Sequence, residues 1–188
     1  MNTCLDIISN TITEQYVKQQ AANQWHGSRY EKINDLKNDF SGKAGELILK
    51  NLCKKFGISH LYTGTIDPES TYDIIIKSKK VEIKTARMGA HGSFQHESLR
   101  SYGCDYFAFI DIYPDHIILT VLSSGFNFSK RHPIVGRKPH LRKGTSNVYK
   151  FDFGLASHKN VIKAGVALKI DENTKDCDIE NFLNKMIK

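Results

Sequence analysis

Asp73, Glu82 and Lys84 are the three side chains of this 188-residue chain whose types and spacing could do chemistry together. They fall in the stretch 71–85, where 74–76 and 81–85 are β-branched runs of strand length and the polar 77–80 supplies a turn. Side chains alternate along a strand, so Glu82 and Lys84 share one face while Val81, Ile83 and Thr85 share the other. With Ser78-Lys79 as a two-residue loop, Lys77 lies opposite Lys80, Ile75 opposite Glu82 and Asp73 opposite Lys84. Opposed residues project to the same side, so the two acids and the lysine converge. A four-residue loop keeps this arrangement, and an odd loop without a bulge turns Asp73 away.

Two neighbouring carboxylates raise each other's pKa unless a cation sits between them. A hard divalent ion takes oxygen ligands, and Mg²⁺ needs only one or two protein carboxylates beside waters and substrate phosphate. A lysine next to such an ion can orient or deprotonate water, or neutralise charge building on phosphorus. The chemistry expected of the set is metal-assisted phosphodiester hydrolysis. The competing reading is a solvent-facing hairpin whose charges contribute little.

An Asp near the start of one strand, followed by Glu-x-Lys in the next, resembles the PD-(D/E)xK nuclease superfamily, which includes the restriction endonucleases. The resemblance covers about residues 41–122 and implies an α/β fold with a restriction endonuclease-like core, a central mixed β-sheet flanked by helices. It further implies a Mg²⁺-dependent DNA endonuclease, with Mn²⁺ as a substitute ion, and products bearing 5′-phosphate and 3′-hydroxyl ends. A type II restriction enzyme acting as a homodimer on double-stranded DNA is the leading expectation. A phage, homing, repair or junction-resolving nuclease is the close rival, and a non-catalytic nucleic-acid-binding module the distant one. The metal would be held by Asp73, Glu82 and the Ile83 carbonyl. Lys84 would activate water, and Glu46, on the preceding helix, would complete the site. The superfamily motif has Pro before the Asp, whereas Tyr72 precedes Asp73 here; Asp67, beside Pro68, is the rival acid.

Charge supplies a second signal. The net charge is +7, yet no acid occurs between Asp115 and Asp152, an interval that holds Lys130, Arg131, Arg137, Lys138, Arg142, Lys143 and Lys150. A local basic surface points to a polyanion. Lysines and arginines there would neutralise phosphates, and Arg137, Lys138 or Asn147 could reach base edges. Cys4, Cys53, Cys104 and Cys177 are too scattered for a zinc site or a disulfide framework. The first ten residues lack the basic-then-apolar order of a leader peptide and no segment is long enough to span a membrane, so a cytoplasmic protein is expected.

The elements that must position these groups follow from periodicity. Leu5, Ile8, Ile12 and Tyr16 predict a helix over about 3–30. A second helix, from Lys32 or Ser41 (a candidate N-cap) to Phe56, carries the stripe Ala44, Leu47, Ile48, Leu52 and stops at Gly57. A short strand is expected over 58–65, and 93–102 reads as a helix presenting Gln95, His96 and Arg100 to a DNA backbone, with His91 in the loop before it. The near-continuous apolar runs 105–112 and 116–122 predict strands buried on both faces beneath helices. Residues 123–150 form an aperiodic basic segment in which Phe126, Phe128 and Tyr149 interleave with the cations. A strand over 148–155 and a terminal helix over 178–187 close a single domain, in which 1–40 and 151–188 are peripheral.

Overall fold

The computed structural model describes Thr13, Val17 and residues 23–62, 71–89 and 91–188, without the side chains of residues 38 and 39. The rival acid Asp67 and most of the expected first helix lie outside the described residues. From residue 23 the chain makes turns rather than helix, and Trp25, within the expected helix, packs into the core.

After a single 3₁₀ turn, Glu31–Asn34, the order is α1 (Asn38–Lys55), β1 (His60–Tyr62), β2 (Ile74–Ile76), β3 (Lys79–Arg87), β4 (Ser93–Arg100), β5 (Tyr106–Ile112), β6 (Ile117–Ser123), β7 (His140–Leu141), β8 (Val148–Gly154), α2 (Leu155–Lys163), β9 (Ala167–Ile170) and α3 (Asp176–Met186). A six-stranded sheet runs β1-β2-β3-β5-β6-β9, and a three-stranded sheet runs β4-β8-β7. Among the described strands only β3 and β5 pair in parallel, so the central sheet is mixed. No described helix is long and apolar enough to cross a membrane.

The β2–β3 hairpin turns at Lys77-Ser78, one residue earlier than the expected Ser78-Lys79. Both turn residues have positive φ (50° and 66°), as in the type I′ turns whose twist suits adjoining strands. The register is therefore Ile76 to Lys79, Ile75 to Lys80 and Ile74 to Val81, two residues away from the expected pairing. An even shift leaves every side chain on its expected face, and Asp73 now comes level with Glu82.

The expected helix over 93–102 is instead β4. Its inward residues are Phe94, His96 and Leu99. The step from 96 to 99 crosses an irregularity in the pairing with β8, where Ser98 takes φ +60°. One extra residue in a strand turns a two-residue alternation into a three-residue step, which imitates helical spacing. The connection between parallel strands β3 and β5 thus runs through a strand of the second sheet, where a helix is the usual crossover.

The two faces of the central sheet are covered differently. Ile74, Ile76, Val81, Ile83, Ala108 and Ile110 pack against Leu49 and Cys53 of α1 and Phe182 and Leu183 of α3. On the opposite face, Phe107 and Phe109 meet Phe94, Leu99, Phe151 and Phe153 of the second sheet and Val161 of α2. Helices therefore cover one face, and a second sheet with one helix covers the other. Burying each phenylalanine contributes about 1.5–3 kcal/mol, so the aromatic layer holds the second sheet in place.

Helix α1 starts earlier than Ser41, which lies inside it and donates to the Lys37 carbonyl. The helix ends where Gly57 takes φ +62°. It crosses β3 at Gly45, where an added Cβ would come within 1.7 Å of Thr85 Oγ1 and 2.9 Å of its Cβ. Gly45→Ala is expected to destabilise the fold by about 1–3 kcal/mol, despite the better helix propensity of alanine, and a denaturant titration reads this directly. The same substitution should displace Glu46, the next residue.

Candidate functional site

The hairpin, α1 and β4 meet around a cleft of about 770 Å³ bordered by Glu46, Asp73, Ile83, Lys84 and residues of β4, among them Gln95 and His96. Asp73 sits just before β2, its N–H bonded to the Val81 carbonyl, and its Oδ2 accepts from the Ile83 N–H at 2.7 Å. A strand residue's N–H and C=O point to the same side, so the Ile83 carbonyl also faces the Asp73 edge. Lys84 Nζ contacts Glu82 Oε1 at 2.5 Å. Glu82 lies just outside the cleft lining, where Arg100 and Cys104 are its neighbours. Asp73, Glu82 and Lys84 are thus brought together, and Glu46 reaches the same locus from α1.

Electrostatics at this locus are dominated by desolvation. Burial pushes the Glu82 carboxyl up to about 7, against the pull of Lys84 and with Asp73 adding to the rise. Burial likewise raises Asp73, where the Ile83 hydrogen bond and Lys84 oppose and the Glu46 charge reinforces. Glu46 is already engaged: its Oε2 accepts from Tyr62 Oη at 2.5 Å and from Lys43 Nζ at 3.0 Å.

Among the described residues no three His, Cys, Asp or Glu side chains form a ready metal cluster. Two half-buried carboxylates whose pKa values are raised, beside a strand carbonyl, nevertheless suit a hard ion that completes its shell with water and phosphate. The donor set fits Mg²⁺ or Mn²⁺ and, lacking thiolate and imidazole, does not suit zinc.

The residues expected to face DNA divide into two groups. Gln95, Arg100, Lys130, Arg131, Arg137, Lys138, Arg142, Lys143 and Asn147 are all exposed. His96 is not: its side chain is 0 % exposed, so it is removed from the nucleic-acid surface. Phe128 is buried, while Phe126 and Tyr149 are partly buried against the second core, so these rings anchor the basic segment rather than interleave with its cations. Phe126 and Phe128 stack at 4.3 Å, and buried His132 accepts from the Ile134 and Val135 N–H groups through Nδ1. The segment expected to be irregular is a folded loop that holds its cations outward.

His96 belongs to a buried network that sequence reasoning missed. Its Nε2 lies 2.9 Å from Asp111 Oδ1. Asp111 Oδ2 is 2.6 Å from His158 Nε2, and His158 Nδ1 is 2.7 Å from the Tyr113 hydroxyl. Complete burial works against charge on Asp111, but the two imidazoles outweigh it and hold the carboxyl below the usual aspartate range. The network ties β4 and α2 to the central strand β5. The only local signal for it is an aspartate inside the apolar run 106–112.

No protein-family model matches the chain, and no curated protein is significantly similar to it.

Proposed function

We propose that the protein is a Mg²⁺-dependent endodeoxyribonuclease with a restriction endonuclease-like core, a type II restriction enzyme that acts on duplex DNA as a homodimer in the cytoplasm. The observation that carries this reading is the convergence of half-buried Asp73 and Glu82 with Lys84 beside an open cleft. Asp73, Glu82 and the Ile83 carbonyl would hold the ion, with Glu46 at its margin, and the ion would stabilise negative charge developing on the phosphate. Mn²⁺ would serve in its place.

The protein's own groups account for the rest. The Ile83 N–H fixes the Asp73 carboxylate, so its orientation is set before substrate arrives. Glu82 holds the Lys84 ammonium, which would orient the attacking water and hydrogen-bond a phosphate oxygen. The exposed cations of the folded loop and Arg100 would neutralise the phosphate backbone.

Incubating plasmid, linear duplex and branched DNA with and without Mg²⁺ tests the proposal. Discrete plasmid fragments that require the metal are expected. A smear or a preference for branched DNA would transfer the protein to repair or junction resolution, and no cleavage of any substrate would remove the enzyme reading. Replacing both Arg142 and Lys143 by alanine is expected to lower the slope of log affinity against log salt by about two, with little change in sequence preference. Fluorescence anisotropy on duplex DNA across a salt series measures this.

A further inference from the structure

Glu46 borders the cleft, yet one of its two carboxylate oxygens is bound twice. Oε2 takes both the Tyr62 hydroxyl and the Lys43 ammonium, the latter from one helical turn earlier on α1. Lys43 Nζ also lies 4.9 Å from the centre of the Tyr62 ring, with Lys50 Nζ at 5.1 Å from the same ring. The ion pair is lopsided in exposure: 37 % of the Lys43 side chain is open to solvent against 20 % for Glu46. Lys43 also lies close enough for its charge to act on Asp73.

An incoming divalent ion would draw on the carboxylate whose charge this ammonium already neutralises through Oε2. Partly exposed Lys43 on its flexible stem is the member free to leave. A phosphodiester arriving with the ion brings negative charge to the same spot and so offers the displaced ammonium a second partner. We infer that Lys43 is a two-position cation, seated on Glu46 in the free protein and transferred to the substrate's phosphate when Glu46 turns to the divalent ion. This rests on the divalent-ion site of the proposed nuclease. It makes Lys43 both a brake on ion uptake in the absence of DNA and a phosphate contact in its presence.

The test compares Lys43→Met with Lys50→Met, which removes the same charge from the same aromatic ring without touching Glu46. In calorimetric titration with Mg²⁺ alone, Lys43→Met is expected to bind the ion roughly fivefold tighter than wild type, the weight of one partly exposed ion pair, and Lys50→Met much less so. Tyr62→Phe, which loosens Glu46 without changing charge, should shift in the same direction as Lys43→Met. Duplex affinity is then read in a Lys84→Ala background, so that DNA stays intact. Adding Lys43→Met should weaken binding severalfold with Mg²⁺ present and hardly at all without it. Matching ion affinities in the two lysine variants, or an equal loss of DNA affinity with and without Mg²⁺, would overturn the transfer. Wild-type protein that takes up no Mg²⁺ with or without DNA would instead remove the nuclease reading, an outcome distinct from wild type binding the ion while the two lysine variants coincide.

Discussion

Lys84→Ala is expected to lower Mg²⁺-dependent cleavage of duplex DNA by about 10³-fold while leaving duplex affinity within a few-fold of wild type. Lys84 lies on the floor of the cleft with only 18 % of its side chain exposed, and it is the cation seated on Glu82. Its loss leaves Glu82 without its ion-pair partner, weakens the positive charge that opposes the rise of the Asp73 pKa, and would remove the group proposed to orient the attacking water. Binding should survive because the cations that would grip the backbone sit elsewhere, on the exposed loop and at Arg100. Arginine at position 84 should not restore the rate, since a planar fork cannot occupy the place of a compact ammonium. Single-turnover cleavage at saturating enzyme isolates the chemical step. An undiminished rate would remove Lys84, and with it the site, from the reaction.

Glu82→Gln should abolish cleavage and yet stabilise the metal-free protein at alkaline pH. The Glu82 carboxyl is raised from 4.5 to about 7, so the folded state holds a proton that the unfolded chain gives up at lower pH. Wild type accordingly has the full contribution of this group below about pH 4.5 and loses it as pH rises through 7. The neutral amide does not titrate. The advantage of Glu82→Gln should grow from near zero at pH 5 to about 2–3 kcal/mol at pH 8, a gain of several degrees in melting temperature. Added Mg²⁺ should close the gap by stabilising wild type alone. Melting curves across pH, with Mg²⁺ or with EDTA, check all of this without relying on activity, and a variant less stable than wild type at pH 8 would contradict the electrostatics of the site.

What could be read from the sequence was local and periodic. The β-branched runs on either side of residues 77–80 announce the hairpin, and a period of two puts Asp73, Glu82 and Lys84 on one face whichever even loop joins them. The exact turn was hidden because Lys77 and Ser78, not Asn-Gly, take up the positive φ angles. The bulge at Ser98 gave β4 the spacing of a helix, and that error concealed the second sheet, since the partner of β4 lies some fifty residues on in β8. Phe126 and Phe128 are equally consistent with a DNA surface and with a core until that sheet exists to cover them. The His96–Asp111–His158 network joins residues 47 positions apart on its longer side, a distance over which no periodicity speaks. The clasp of Lys43 and Tyr62 on Glu46 is half legible: Lys43 and Glu46 are spaced for an ion pair on a helix, but nothing local brings Tyr62 to them.

The passage from β3 to β5 through a strand of the other sheet has a consequence for biosynthesis. Among the described strands β4 bonds to β8 alone, so residues 93–100 wait for 148–154 to leave the ribosome before their edge is satisfied. The hairpin bearing the acids and the lysine needs no such delay, because its two strands are neighbours in the chain and close quickly. A nascent chain halted near residue 130 would therefore already display the reactive side chains but lack the partner that fixes one wall of the cleft. On the proposed reading, the enzyme would be harmless to its host's chromosome until β8 has been made.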